Sequence, residues 1–232
     1  GDAICAKLTQ QGHGKSALRK TGLKIDTYFS ASKIRWLIEN RPAIAAKLKS
    51  GEAVIGTIDA YLIHRLTGGK TFATDFTNAS RTLLFDIGKL KWDAELCKLF
   101  KAPLSALPEV RESAAHFGAT NARGVLPQEI PIVGVMGDSQ ASLFAQRCYQ
   151  PGLAKATFGT GTSVMLNIGG QYRLSNKGAV TALAWVWQGK PTYAFEGIIN
   201  FSAATIEWLK NQLGLIQSAG EVGKLALSVN DN

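Results

Sequence analysis

The sequence predicts an α/β architecture with a change of subdomain near residues 146–152, on two observations. The first hundred residues carry apolar side chains mainly at helical spacing, whereas from residue 130 the pattern runs strand, helix, hairpin, hairpin, helix. Capacity agrees with this: 232 residues with 46% hydrophobic content can bury a real core, and 24 glycines against 7 prolines suit many tight turns.

Taken in order, residues 30–40 place Ile34, Leu37 and Ile38 on one helical face after a serine-rich start. Arg41-Pro42 then interrupts it, because proline has no amide proton and clashes with the preceding turn. A short helix continues over 43–48, and the Ala-Val-Ile run at 53–55 predicts a short buried strand. Thr57-Ile58-Asp59 leads into a helix over 60–66 that ends at Thr67-Gly68-Gly69, with cap residues at both ends. Residues 93–100 form another short helix, closed by Pro103. The apolar, β-branched run at 130–136 predicts a buried strand, and 139–149 follows at helical spacing. Strands over 153–158 and 163–168 join across Gly159-Thr160-Gly161-Thr162. A second hairpin pairs 179–187 with 192–195 across Gln188-Gly189-Lys190-Pro191, and 202–213 closes this half as an amphipathic helix carrying Trp208.

Composition narrows the function classes. The net charge of +9, from 26 Lys plus Arg against 17 Asp plus Glu, attracts polyanions. The basic residues are scattered, with neither interleaved aromatics nor a basic helix, so a solvated surface is expected and nucleic acid is not an expected partner. No run approaches the roughly 20 apolar residues of a membrane span. The N-terminal residues lack the charged-then-apolar order of a signal peptide, which makes a cytoplasmic protein the expectation. Cys5, Cys97 and Cys148 are odd in number and far apart, and read as reduced, structural thiols. His13, His64 and His116 have no partner at metal-ligand spacing.

Three places could carry chemistry. Asp138 stands at the carboxyl end of the predicted strand, where open α/β sheets present groups to ligands, and Gly137 leaves room for close approach. A carboxylate there could take a proton from a hydroxyl or hold a hydrated Mg²⁺, and it could equally cap the helix that follows. The turn Phe158-Gly159-Thr160-Gly161-Thr162-Ser163 offers backbone amides and hydroxyls to phosphate oxygens, or is an ordinary hairpin turn. Asp75, Asn78, Ser80 and Arg81 form a polar cluster for which turn and packing roles weigh as much as ligand contact.

Five motifs, in order, resemble the FGGY carbohydrate kinases, and most closely the glycerol kinases among them: YFSASKIRWLIEN at 28–40, GTIDAYLI at 56–63, TDFTNASRT at 74–82, LPEV at 107–110 and GDSQA at 137–141. The resemblance spans nearly the whole chain. It implies a ribonuclease H-like, actin-like ATPase fold with two domains around a cleft, which transfers the γ-phosphate of ATP, with Mg²⁺, to a hydroxyl of a polyol or sugar. By it, Asp138 matches the catalytic base and, through water, a metal contact; Gly159, Thr160 and Gly161 match the phosphate-binding hairpin; Tyr28 matches a polyol contact; and Ala203, Ile206 and Glu207 fall on the nucleotide site. Ser139 replaces a glutamine and Ser163 an aromatic of the polyol pocket, which implies a smaller-walled, more polar site open to a tetritol, a pentulose or another longer substrate. A nucleotide-binding scaffold without catalysis is the reading from another class. The family's assemblies leave a homo-oligomer open.

The resemblance also implies that 1–146 is the later part of the family's N-terminal domain and 147–232 the early part of its C-terminal domain, so that the chain corresponds to the middle of a kinase. On this expectation the segment alone, assayed by coupled ADP release, shows little or no turnover. A rate of roughly 1–100 per second, ordinary for kinases, would contradict it.

Overall fold

The computed structural model describes residues 1–230. The chain opens with helices α1 (Asp2–Gln10), α2 (Gly14–Thr21), α3 (Ser30–Asn40), α4 (Pro42–Ser50) and α5 (Ile58–Leu66). Pro42 sits in the first turn of α4, where its missing amide proton costs nothing, and this separates α3 from α4. Then follow β1 (Ala73–Asp75), α6 (Phe76–Ser80), β2 (Phe85–Asp86), β3 (Lys91–Trp92), α7 (Ala94–Leu99) and β4 (Glu109–Arg111), with β1 and β4 paired in parallel. After β5 (Ala119–Thr120), β6 (Ile130–Pro131) and α8 (Asp138–Ala145) comes an antiparallel sheet of β7 (Ala154–Phe158), β8 (Thr162–Gly169), β9 (Val180–Trp187) and β10 (Lys190–Ile199), in the order β7-β8-β10-β9. Helices α9 (Ala203–Asn211) and α10 (Glu221–Leu227) follow.

The core is shared along the chain. Ala79, Phe85 and Ile87 pack in one buried cluster with Ile168, Leu183, Val186 and Tyr193, so 1–146 and 147–232 hold a common interior. A second cluster seats α8, through Leu143, on the sheet face that carries Met165, Ala182, Ala184 and Ala194. At the seam, Gly22 closes α2 with φ +74°, and a Cβ there would lie 2.0 Å from the Thr181 carbonyl oxygen. Only glycine permits that approach. The three cysteines are buried free thiols, and burial, with the Asp93 charge nearby, pushes Cys97 up to about 12.

Several expectations are corrected. Residues 53–55 form no strand; Val54 is exposed, and Ile55 N–H donates to Ala106 O at 2.8 Å. The run at 130–136 is not a buried strand: only Ile130–Pro131 pairs as β6, and Ile130 and Val133 are 46% and 57% exposed. Its apolar composition matches a two-faced strand, but the described residues cover neither side chain. Helix α8 begins at Asp138 and stops at Ala145, where Arg147 turns to φ +57°. The second hairpin turns through Gln188-Gly189 alone, both at positive φ, so β10 starts at Lys190. Pro191 is tolerated because β8 pairs with β10 only from Tyr193 onward. Thr57 stands at the N-cap of α5 without a side-chain cap bond, its hydroxyl lying 3.3 Å from Thr74 Oγ1 instead. Helix α9 buries no side chain, and Trp208 is half exposed.

One long-range link stabilises the first half. The Lys20 ammonium lies 2.8 Å from both carboxylate oxygens of Asp93, whose Oδ1 also accepts the Leu96 N–H at the start of α7. Burial alone would raise the Asp93 carboxyl, but the bonds from Lys20 and Leu96 outweigh it and hold the group below the usual carboxylate range. A carboxyl depressed on folding stabilises above its unfolded pKa, and that contribution is lost as pH falls through the folded value. Asp93→Ala is therefore expected to cost about 1–3 kcal/mol in urea unfolding at pH 7. The deficit should narrow below about pH 4, and one independent of pH would show that the ion pair contributes nothing.

Candidate active site

Asp138 is placed by a relay of hydrogen bonds that begins at a buried carboxylate. Asp75, fully buried at the end of β1, caps α6 by accepting from Thr77 N–H and Asn78 N–H, and also accepts from Thr77 Oγ1, Asn78 Nδ2 and Ser113 Oγ at 2.6–2.8 Å. Thr77 Oγ1 in turn accepts the Gly137 N–H at 2.8 Å. A Cβ on Gly137 would fall 2.7 Å from Gln140 Oε1, so a larger residue before Asp138 would have to displace that side chain. Gly137 is the N-cap of α8 and Asp138 its first residue, which corrects the cap reading of Asp138. The Asp138 side chain is exposed, and its Oδ1 accepts from Ser139 N–H at 2.7 Å.

The hairpin between β7 and β8 is tied to α9. Ser202 N–H and Ala204 N–H donate to Thr160 O, Ala203 N–H donates to Gly159 O, and Thr162 Oγ1 bonds Ser202 Oγ at 2.8 Å. In a trans peptide the carbonyl and the amide hydrogen point opposite ways. With the Gly159 and Thr160 carbonyls turned toward α9, the Thr160 and Gly161 N–H groups face away from it together, the arrangement that receives an anion. A Cβ on Gly161 would lie 2.6 Å from Ile199 O, so this turn requires glycine. Thr160, Ala203, Ile206 and Glu207, together with Ala204, Ala219 and Val222, line a hollow of about 540 Å³. That volume lies in the range of small-molecule sites. Thr160 belongs to both, so the hollow opens beside the hairpin.

The remaining candidates lie around a polar seam. Tyr28 is 66% exposed and meets Phe29 edge to face. The Arg81 guanidinium lies 5.4 Å from the Phe29 ring centre and pairs with Glu196 Oε2 at 2.7 Å. Ser163 Oγ lies 3.5 Å from the other Glu196 oxygen. Tyr28 and Ser163, far apart in sequence, are thus connected through Phe29, Arg81 and Glu196, while Ser139 is half-buried in the first turn of α8. Reading the sequence missed Glu196, Thr77 and Lys155. Lys155 is buried, with Nζ donating to Thr157 Oγ1 at 3.0 Å; burial pushes its ammonium down, against the Glu196 and Asp138 carboxylates, which favour its charge. Among the described residues no group of three or more His, Cys, Asp or Glu converges as a metal cage.

The model of the FGGY family of carbohydrate kinases, N-terminal domain, matches residues 1–145. Glycerol kinase 1 of Thermotoga maritima is 46% identical over 232 residues, 100% of this chain and 47% of that protein. Glycerol kinase of Geobacter sp. is 48% identical over 230 residues, 99% of this chain and 46% of that protein. The chain thus spans about half the length of the curated relatives it matches. Among solved structures, Plasmodium falciparum glycerol kinase with ADP overlays with a TM-score of 0.93 at 36% identity, covering 99% of this chain and 46% of that one. Xylulose kinase from Rhodospirillum rubrum overlays at 0.80 with 22% identity, covering 97% and 44%.

The relay makes Thr77 the test of how Asp138 is held. Thr77→Val removes the hydroxyl that joins Asp75 to the Gly137 N–H, and should cost roughly 1–3 kcal/mol in denaturant unfolding, the penalty of unpaired buried polar groups. A loss under about 0.5 kcal/mol would show that Gly137 is not pinned this way in solution.

Proposed function

The chain belongs to the FGGY family of carbohydrate kinases, and we propose that the protein carrying it phosphorylates a hydroxyl of a polyol or sugar with ATP, glycerol being the leading substrate. Its fold is the actin-like, ribonuclease H-like arrangement of those kinases. The observation that carries the proposal is the placement of Asp138 at the start of α8, on the helix that packs against the sheet whose hairpin forms the anion-receiving turn. The match of the family model to residues 1–145 supports a domain boundary at 146/147.

In this reading Asp138 accepts the proton of the attacking hydroxyl, because an exposed carboxylate on a fixed helix start can reach a bound alcohol. The Thr160 and Gly161 amides and the Thr160 hydroxyl hold phosphate oxygens, and Ala203, Ile206 and Glu207 flank the rest of the nucleotide. Bound ATP with Mg²⁺ supplies the phosphoryl group and part of the charge neutralisation. Asp138 fits a hydrated Mg²⁺, which characteristically keeps several waters and one or two carboxylates. Tyr28, Ser139 and Ser163 orient the acceptor. A second reading, a tetritol or pentulose as acceptor, is favoured by the polar wall that Ser163, Glu196 and Arg81 form. A cytoplasmic setting is consistent with the activity, and among the described residues no helix is long and apolar enough to cross a membrane.

The experiment is coupled ADP release by the full-length protein with glycerol, erythritol, xylulose, ribulose and gluconate. Glycerol is expected to turn over, and Asp138→Asn should lower kcat by about 10²–10⁴-fold while leaving ATP affinity within a few-fold. Preference for erythritol or a pentulose would select the second reading. A folded protein that binds ATP but turns over none of the five would sink the glycerol assignment, leaving an untested sugar or a nucleotide-binding scaffold.

A further inference from the structure

Nothing in the turn 158–163 carries a charged side chain, although the proposed ligand there is a polyanion. The strand register places Lys155 of β7 opposite Met165 of β8, and Met165 opposite Glu196 of β10. Directly opposed residues share a sheet face, so these three side chains lie on the face where α8 packs through Leu143 and Met165. Lys155 is 4% exposed, and among the described residues its Nζ hydrogen bond is to Thr157 Oγ1, one step nearer the turn. An ammonium has three donors. Glu196 of β10 shares the sheet face of Lys155 and is paired with Arg81 beyond, and the Glu196 and Asp138 carboxylates both favour the Lys155 charge. The wall thus holds two carboxylates and two cations. Without Lys155 it would carry net negative charge beside the phosphate turn.

We propose that Lys155 is the counter-charge of this wall: its buried ammonium offsets Asp138 and Glu196 so that the hairpin can hold the terminal phosphate of a nucleoside triphosphate. The inference rests on the reading of the hairpin as a phosphate site. It makes Lys155 a positioning residue that acts through the local field rather than by contact with the reacting atoms.

The test is calorimetric binding of ADP and of a non-hydrolysable ATP analogue to the full-length protein. Lys155→Met should weaken the triphosphate on the order of tenfold and ADP by less than about threefold. Lys155→Arg should keep both affinities near wild type. The double variant Lys155→Met/Glu196→Gln, which removes one charge of each sign, should recover most of the loss, a result that lost packing alone would not produce. Methionine keeps an apolar stem of similar length but takes a cation from beside the buried Glu196, so Lys155→Met is expected to melt below the wild type. Should it unfold, Lys155→Gln carries the same comparison. An unchanged ratio of the two affinities overturns the proposal, whereas a wild type that binds neither nucleotide overturns the phosphate-site reading and this inference with it.

Discussion

A buried carboxylate organises the first half of the molecule. Asp75 is removed from water, which would be costly for an isolated charge, yet it accepts hydrogen bonds from Thr77, Asn78 and Ser113. Those donors come from two stretches of chain, the start of α6 and the loop after β4. Satisfying Asp75 therefore fixes α6 against the β1–β4 pair, and because Thr77 also accepts from Gly137, it fixes the approach to α8 as well. The candidate base inherits its position from a residue that never meets solvent. At the end of α6, Arg81 reaches Glu196 of β10, so the same short helix also joins the two halves of the chain.

What could be read in the sequence were features with local causes. The break between α3 and α4 follows from Pro42, and the first hairpin from the two glycines between its strands. Residues 130–136 misled because an apolar run reports composition, whereas burial depends on what packs on either face. The parallel β1–β4 pair joins two three-residue strands more than thirty residues apart, too short to show any period. Asp138 was legible from its glycine and the helix after it, and the family resemblance supplied the role proposed for it. Lys155 had no local signal: in an alternating strand a lysine reads as an outward, solvated residue, and only the pairing of β7, β8 and β10 shows that it lies beneath α8.

The seam between residues 1–146 and 147–232 is packed as well as polar. It contains Phe85, Ile87, Leu183 and Tyr193 in one buried cluster, the contact of Gly22 with Thr181, and the Tyr193 hydroxyl bonded to Ile87 O at 2.9 Å. Interiors of this kind resist small displacements, since each side chain is held by all its neighbours. The stretches that carry Tyr28, Asp138 and the 158–163 turn are therefore joined through packed interiors. For the proposed phosphoryl transfer that matters, because most of such catalysis is positioning and charge placement. A core substitution at the seam, distant from every proposed ligand contact, would then disturb the spacing of these side chains together with stability.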